Sequence, residues 1–305
     1  MTTKRGNPVG KIFDRSRRKH ESIPQELNYA RVESIGEVLD LLSQSRWRIL
    51  AGGTDFYPAQ RDRPVQDAVV DITGLQELRA IELKGNYWRI GAGATWSDLL
   101  ATELPQAFAG LKLAAREVGS IQIQNRATIV GNICNASPAA DGVPPLLTLD
   151  AEVEIVSRRG SRRLPVNDFI LGNRKIHLQA DEMVTAIVVP QNAAEGSSSF
   201  LKLGSRRHLV ISIVIVACRL SVQSNGKIDA AAVSVGACSA VAQRLDQLEK
   251  RLIDVPVEEA ANVPLRNADL KGLTPIDDVR ATSAYRLSAT KELVSRVVAA
   301  AAKEL

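Results

Sequence analysis

Residues 49–58 constrain the fold of this chain more than any other stretch, because an apolar strand runs there directly into two glycines. Adjacent glycines adopt positive φ easily and have no Cβ, so successive backbone N–H groups can converge on one anion. Thr54 follows Gly52 and Gly53 and adds a hydroxyl donor. The stretch therefore predicts a phosphate-binding turn. The alternative is a tight strand-to-loop turn without a ligand, since glycine pairs are common in loops.

The composition is typical of a globular protein with two or three domains, since the 305 residues are 45% hydrophobic and 24% charged. The net charge of +5 comes from a basic cluster between Lys4 and Lys19. That cluster has few aromatic residues, so nucleic-acid binding is not favoured. We interpret residues 1–27 as a flexible basic N-terminal arm, either a loose terminus or a docking arm for a partner subunit.

The cysteines and the longest apolar run bear on compartment. Cys134, Cys218 and Cys238 are far apart and match neither a disulfide framework nor a metal-binding spacing, which indicates a reducing compartment and no metal site. The apolar run at residues 209–218 is well short of the roughly 20 residues that a membrane helix needs. We therefore expect a cytoplasmic protein without a membrane span.

Helix and strand patterns alternate along the first part of the chain. A capping box at Ser34 begins a helix that extends to Ser43, and Thr95 begins a second capped helix. A longer helix is predicted from Pro105 to Val118, where Gly119 ends it. Strands are predicted at residues 48–51, 68–72 and 87–91. These patterns predict an α+β structure for the first half of the chain.

A second polar stretch, residues 122–141, lies between apolar segments. It carries hydrogen-bonding side chains at Thr128, Asn132 and Asn135, and Gly131 permits close backbone approach. Pro138, with Pro144 and Pro145 just beyond it, predicts a loop rather than an ordinary helix. We expect this loop to bind a ligand; the alternative is a long buried loop satisfied by its own side chains, which is unusual in a compact domain.

The last third predicts a small antiparallel sheet covered by helices. Residues 196–199 are expected to form a flexible link, and Asn225-Gly226 between apolar runs predicts a hairpin. Its strands are placed at residues 211–222 and 228–238, and helices at residues 240–253 and 283–303. The histidines His20, His177 and His208 are isolated, so no catalytic residue is predicted and the chemistry is expected to reside in a bound cofactor.

Taken together, residues 51–55 and 128–141 resemble the FAD-binding medium subunit of molybdenum hydroxylases, the xanthine dehydrogenase and aerobic carbon monoxide dehydrogenase type. Further matches follow in the same order at residues 168–175, 202–207, 275–280 and 285–286. The likeness extends from residue 28 to about residue 300. Its order along the chain makes it more specific than any single piece.

This resemblance implies an α+β architecture: a two-subdomain FAD-binding fold of the vanillyl-alcohol oxidase (PCMH) type, followed by a small α+β C-terminal domain. That last domain is expected to hold a three-stranded antiparallel sheet and helices. The implied boundaries are residues 28–85 for the first FAD-binding subdomain, 86–195 for the second and 200–305 for the C-terminal domain.

The resemblance also implies which residues contact FAD. Those around the glycine turn would hold the pyrophosphate: Ile49, Ala51, Gly52, Gly53, Thr54, Asp55 and Phe56. From the second stretch and beyond, the implied contacts are Val118 at the adenine, Thr128, Gly131 and Asn132 at the phosphates and flavin, Cys134 near the ring, Asp141 at the adenosine or ribityl part, and Val184 and Lys202. A cation such as Lys202 would stabilise the anionic reduced flavin.

The function implied by the resemblance is that of an FAD-carrying electron-transfer subunit of an oxidoreductase. Molybdopterin would lie on a large subunit and [2Fe-2S] clusters on a small one, with the complex a dimer of heterotrimers and the acceptor NAD, a quinone, a carrier protein or oxygen. The alternatives are a stand-alone FAD-dependent oxidoreductase of the same fold and a cofactor-free scaffold protein.

Two departures from the family pattern affect these expectations. The usual Thr-Ile-Gly-Gly-Asn has Val130 in place of its first glycine, so altered flavin affinity or geometry is expected. The usual Gln-Ile-Arg-Asn has its positive charge displaced to Arg126. Three scattered cysteines also cannot supply the four ligands of an iron-sulfur cluster, so none is predicted in this chain.

Overall fold

A three-stranded parallel sheet forms the beginning of the structure. The computed structural model describes residues 29–61 and 63–305, so the predicted arm at residues 1–27 lies outside the described residues. The strands β1 (Tyr29–Arg31), β2 (Trp47–Leu50) and β3 (Ala68–Asp71) lie in the order β1-β3-β2. Helix α1 (Ile35–Gln44) connects β1 with β2, and α2 (Phe56–Gln60) follows the glycine pair. The glycines thus lie at the carboxyl edge of this sheet.

The predicted cap of α1 is confirmed, because Ser34 Oγ accepts a hydrogen bond from the backbone N–H of Glu37. The apolar side chains of α1 that follow the helical period, Val38, Leu39 and Leu42, are buried against the sheet.

A five-stranded antiparallel sheet follows. Its strands are β4 (Ile81–Lys84), β5 (Tyr87–Gly91), β6 (Glu152–Ser157), β7 (Gly160–Pro165) and β10 (Met183–Pro190), in the order β4-β5-β10-β6-β7. A separate hairpin pairs β8 (Ile170–Gly172) with β9 (Lys175–Ile176). The β4–β5 hairpin turns at residues 85–86. Residues 81–84 therefore belong to the five-stranded sheet and not to the parallel sheet that precedes them.

Short helices fill the long connection between β5 and β6. They are α3 (Trp96–Ala101), α4 (Ala109–Glu117), α5 (Ile121–Gln124), α6 (Ile129–Asn135) and α7 (Val143–Thr148), and α8 (Val166–Phe169) follows β7. The Thr95 capping box is present, and a 3₁₀ turn precedes α4 within the predicted helix at residues 105–118.

The prediction of a loop throughout residues 122–141 is wrong, because α5 covers its first residues and α6 covers residues 129–135. Thr128 caps this helix, with its Oγ1 accepting a hydrogen bond from the N–H of Gly131. The prolines that argued against a helix do not interrupt α6: Pro138 follows it, and Pro144 and Pro145 lie in the first turn of α7, where proline is tolerated.

The C-terminal part is built on a second antiparallel sheet. Strands β11 (Ser197–Leu203), β12 (Val214–Val222), β13 (Ile228–Gly236) and β14 (Gln243–Arg244) lie in that order. Helices α9 (Asp246–Leu252) and α10 (Ser283–Ala302) cover it. The sheet has four strands rather than the three that the resemblance implied, because β11 and the two-residue β14 both pair with it.

The flexible link predicted at residues 196–199 is also wrong. Ser197, Ser198 and Ser199 are buried in β11 and pair with β12. The hydroxyl of Ser198 donates to the carbonyl oxygen of Ala107 at 2.6 Å, and that of Ser197 to Ala301. Serine is small enough to lie in a core strand when its hydroxyl has an acceptor, so polarity alone misassigned this segment.

Two main hydrophobic cores lie behind these elements. One joins the first two sheets with α1 and α3 to α8, with Trp96, Phe108 and Phe169 among its fully buried side chains. The other lies between the C-terminal sheet and α9 and α10. Within residues 29–61 and 63–305, no helix is long and apolar enough to cross a membrane.

Candidate functional site

A cavity of about 630 Å³ opens between the carboxyl edge of the parallel sheet and α6, and this volume is typical of small-molecule sites. Both special stretches of the sequence line it, although more than seventy residues separate their starting points. Of the residues predicted to contact a cofactor, the cavity brings together Ile49, Ala51, Gly52, Gly53, Thr54, Asp55, Phe56, Val118, Thr128, Gly131, Asn132 and Cys134.

The glycine turn is shaped by close contact between the two stretches. A Cβ at Gly52 would lie 1.9 Å from the carbonyl oxygen of Arg126, and Gly53 has a φ of 73°. Glycine is therefore required at Gly52 by the approach of the second stretch and at Gly53 by the backbone conformation.

The backbone amides of the turn are available to a ligand. Within the described part of the chain, no hydrogen bond is donated by the backbone N–H groups of residues 52–55. Because unpaired N–H groups beside a cavity favour an anion, this turn has the chemistry expected of a phosphate cradle.

The opposite wall is held in place by hydrogen bonds of its own. A Cβ at Gly131 would lie 2.7 Å from Thr128 Oγ1, which caps α6 through the Gly131 N–H. Asn132 Oδ1 accepts a hydrogen bond from the N–H of Gly142 at 3.3 Å. These polar residues therefore shape the wall as well as line it. Val130, by contrast, is 5% exposed in the core and does not line the cavity.

Other residues line the cavity that the sequence did not predict as contacts, among them Trp96, Ile123 and Arg174. Arg174 lies in the β8–β9 turn, where its Nη2 is 4.0 Å from Asp55 Oδ1 across the cavity mouth. Its signal was the matching segment at residues 168–175. Nothing in the sequence marks Trp96 as a binding residue. Its Nε1 is nevertheless buried without a hydrogen-bond partner in the part of the chain that the structure describes.

A second cavity of about 400 Å³ lies beside the first. Its lining residues Gly119 and Ser137 are within two positions of Val118 and Asn135, which line the first cavity. Asp141 and Lys202 lie in its wall, with Lys202 Nζ 2.7 Å from Asp141 Oδ2. The two side chains are only 6% and 10% exposed, for Lys202 and Asp141 respectively. The structure thus places Lys202 in an ion pair rather than as an isolated cation.

Burial raises the pKa of Asp141 above its usual value, although Lys202 and a hydrogen bond from Ser212 oppose that shift. Burial likewise raises the pKa of the Cys134 thiol to about 12. A neutral thiol is a poor nucleophile, so Cys134 is a lining residue rather than a reactive one. Val184 is 4% exposed within β10 and does not line either cavity.

The two adjoining cavities fit an extended dinucleotide such as FAD. The free amides at residues 52–55 suit a pyrophosphate, and the unpartnered Trp96 Nε1 is a further donor beside the first cavity. Among residues 29–61 and 63–305, no cluster of His, Cys, Asp and Glu has the arrangement of a metal site.

Family models match both parts of the chain. A model described as the FAD binding domain in molybdopterin dehydrogenase matches residues 25–192. A second, described as the CO dehydrogenase flavoprotein C-terminal domain, matches residues 199–301. These matches cover both cavities and the C-terminal sheet.

Individual relatives give the same result. The chain is 32% identical over 290 residues to the xanthine dehydrogenase FAD-binding subunit of Escherichia coli O157:H7, covering 91% of this chain and 98% of that one. It is 35% identical over 214 residues to the nicotinate dehydrogenase FAD-subunit of Eubacterium barkeri, covering 68% and 72%. A carbon monoxide dehydrogenase structure from Hydrogenophaga pseudoflava superposes with a TM-score of 0.80 at 27% identity, covering 92% of this chain and 98% of that chain.

Proposed function

Because this chain belongs to the family of FAD-binding medium subunits of molybdenum hydroxylases, we propose that it is the electron-transfer subunit of a multi-subunit molybdopterin hydroxylase or dehydrogenase. In this role the chain receives electrons from [2Fe-2S] clusters of a small partner subunit and passes them to an external acceptor. Bound FAD supplies the redox chemistry. The observation that carries the proposal is the run of unpaired amides at residues 52–55 beside a cavity of cofactor size.

The residues that line the two cavities support contacts with different parts of FAD. The turn at residues 52–55, with Ile49, Ala51 and Phe56 around it, would hold the pyrophosphate, and Val118 would border the adenine. Thr128, Gly131, Asn132 and Cys134 would form the facing wall. Asp141 would face the adenosine or ribityl part, and Lys202 beside it would approach the flavin. The proposed contact at Val184 has the least support, since that side chain lies in the core.

The finer architecture and assembly belong to the same proposal. We assign the part of the chain matched at residues 25–192 to an FAD-binding fold of the vanillyl-alcohol oxidase type, with subdomains at residues 28–85 and 86–195 and a C-terminal domain at 200–305. The partners would be a large molybdopterin-binding subunit and a small [2Fe-2S] subunit in a cytoplasmic dimer of heterotrimers. Its acceptor would be NAD, a quinone, a carrier protein or oxygen.

Absorbance of the purified chain tests the proposal. After expression and reconstitution with FAD, we expect the spectrum of a bound flavin and no turnover of small substrates by the isolated chain. A folded chain without bound flavin would overturn the proposal. Affinity capture from the source cells should yield a large and a small partner; capture of the chain alone, together with activity of the isolated chain, would identify a stand-alone flavin oxidoreductase instead.

A further inference from the structure

Ser212 lies in the segment between β11 and β12, and its side chain reaches across to Asp141 of the FAD-binding part. Ser212 is 2% exposed, and its Oγ donates a hydrogen bond to Asp141 Oδ1 at 2.9 Å. The other carboxylate oxygen, Oδ2, accepts from Lys202 Nζ at 2.7 Å. One donor on each oxygen fixes the plane of the carboxylate at the wall of the second cavity.

The position of Ser212 is itself fixed by its neighbour, Ile213. The Ile213 N–H donates to the carbonyl oxygen of Leu203 at 2.7 Å, and the Ile213 carbonyl accepts from Arg286 Nη1 at 2.6 Å. Arg286 is 3% exposed and is anchored by Asp278 Oδ1 at 2.8 Å. The matching segments at residues 275–280 and 285–286 therefore hold the backbone beside Ser212.

Groups from three different elements surround the buried Asp141 carboxylate, so each hydrogen bond that it accepts affects whether it stays charged. Lys202 comes from β11, Ser212 from the segment before β12, and Glu117 from the end of α4, where its carbonyl oxygen accepts from Lys202 Nζ at 3.3 Å. In this buried setting the carboxylate keeps its charge only with strong donors. Within the described residues, the Ser212 hydroxyl donates to Asp141 alone.

We propose that Ser212 is a positioning residue of the FAD site, which holds the Asp141 carboxylate in its place between Lys202 and the second cavity. The inference rests on the proposed function, because it takes this cavity to be part of the cofactor site. It assigns the C-terminal part of the chain a role in cofactor binding: Lys202 and Ser212 both come from that part, whereas Asp141 comes from the other.

Replacement of the hydroxyl tests this role. We expect Ser212→Ala to raise the dissociation constant for FAD about tenfold, since a hydrogen bond to a charged group is lost, and to shift the visible absorption of the bound flavin. Ser234→Ala is the matched control, because Ser234 is also buried and donates instead to the carbonyl oxygen of Gln243. It should leave both readouts unchanged.

A double-mutant cycle separates positioning from a general loss of packing. In an Asp141→Asn background, Ser212→Ala should change the FAD dissociation constant by less than about twofold, because the two residues act as one unit. An undiminished effect in that background, or wild-type affinity and spectrum for Ser212→Ala alone, would overturn the inference. If Ser212→Ala does not fold, Ser212→Cys replaces it with the same expected direction, since a thiol is a weaker donor. Absence of FAD from the wild-type chain would instead refute the proposed function.

Discussion

Gly52 is the residue at which the two halves of the proposed FAD site touch. Its missing Cβ allows the backbone of Arg126 and Ala127 to pass within contact distance of the turn. The neighbouring Gly53 is needed for a different reason, its positive φ. At the residue scale, then, a glycine pair that reads as one motif meets two separate steric requirements.

We expect Gly52→Ala to weaken FAD binding by more than about tenfold and to cost about 2 kcal/mol of stability, because the new methyl group would lie 1.9 Å from the Arg126 carbonyl oxygen and push the turn away. Flavin titration and urea unfolding measure the two effects. Gly36→Ala is the control, since the side-chain atoms nearest to the new methyl group, from Ser34 and Arg158, would be at 3.6 and 3.7 Å and Gly36 lies in α1. Unchanged flavin affinity in Gly52→Ala would contradict the assignment of the turn.

The Asp141–Lys202 pair predicts a pH dependence of folding stability. Because burial raises the pKa of Asp141 above 3.8, the folded state binds this proton more tightly than the unfolded chain does. Its contribution to stability is therefore lost as pH rises through the window between 3.8 and the raised folded pKa.

In Lys202→Gln the ammonium is gone, so the pKa of Asp141 rises further and the window extends towards neutral pH. We expect a loss of about 3 kcal/mol at pH 8 and a smaller loss at pH 5, measured by urea unfolding of the FAD-free chain. The Asp141→Asn/Lys202→Gln double variant should show no such pH difference. Equal losses at both pH values in the single variant would show that Asp141 does not carry the effect.

Helix α6 lines the cavity with one side and packs into the hydrophobic core with the other. Its cap residue Thr128 and Gly131 face the cavity, whereas Ile129, Val130 and Ile133 are buried in the core. The helical period separates the two sets, so neighbouring residues have different tasks. Val130, which departs from the family pattern, is on the core side.

Val130→Gly should therefore destabilise the protein without improving the site. We expect a loss of about 3 kcal/mol of stability, because the substitution leaves a cavity in the core and places glycine within a helix, and a change of less than about twofold in FAD affinity. Val130→Ala, which keeps the helix propensity, should recover about 1 kcal/mol of that loss. Markedly tighter flavin binding by Val130→Gly would revive the expectation that Val130 alters the cofactor site.

On the scale of the whole molecule, an arginine network joins the two parts of the chain at the end of α7. Arg219 of β12 is 4% exposed, donates to the carbonyl oxygen of Thr148 at 2.7 Å and pairs with Asp150 at 3.2 Å. Arg244 of β14 pairs with Asp150 at 2.8 Å and also with Glu249 of α9. Together with the packing of α4 on β11, this network holds the FAD-binding part against the C-terminal sheet.

Arg219→Met should loosen this connection. All three tryptophans precede residue 100, so tryptophan fluorescence reports unfolding of the FAD-binding part, whereas far-UV circular dichroism reports both parts. We expect a loss of about 3 kcal/mol and two signals whose urea transitions no longer coincide. Arg296→Met, which breaks an exposed pair within α10, should cost at most about 0.5 kcal/mol and keep the signals together. If the two transitions still coincide in Arg219→Met, Arg219 is not what couples the unfolding of the two parts.

How far the sequence could predict this protein depended on the range of the interactions. The helix caps at Ser34 and Thr95 follow from residues three positions apart, and both are confirmed. Family, cofactor and the α+β class followed from motifs in order along the chain, and the matches at residues 25–192 and 199–301 confirm the family. The prediction of a flexible link at residues 196–199 was wrong. The hydroxyl of Ser198 has its hydrogen-bond partner in another element, and such a partner cannot be recognised from the neighbouring sequence.

The sequence by itself determined the local chemistry: a glycine pair whose amides can converge on an anion, and a second stretch rich in hydrogen-bonding side chains. Only the tertiary structure decided what these groups meet. It brought the Arg126 carbonyl against Gly52, turned Val130 into the core and gave Lys202 the carboxylate of Asp141 as a partner. The physical reason is that steric contact and charge pairing depend on distances between residues far apart in the chain, and the folded packing alone sets those distances.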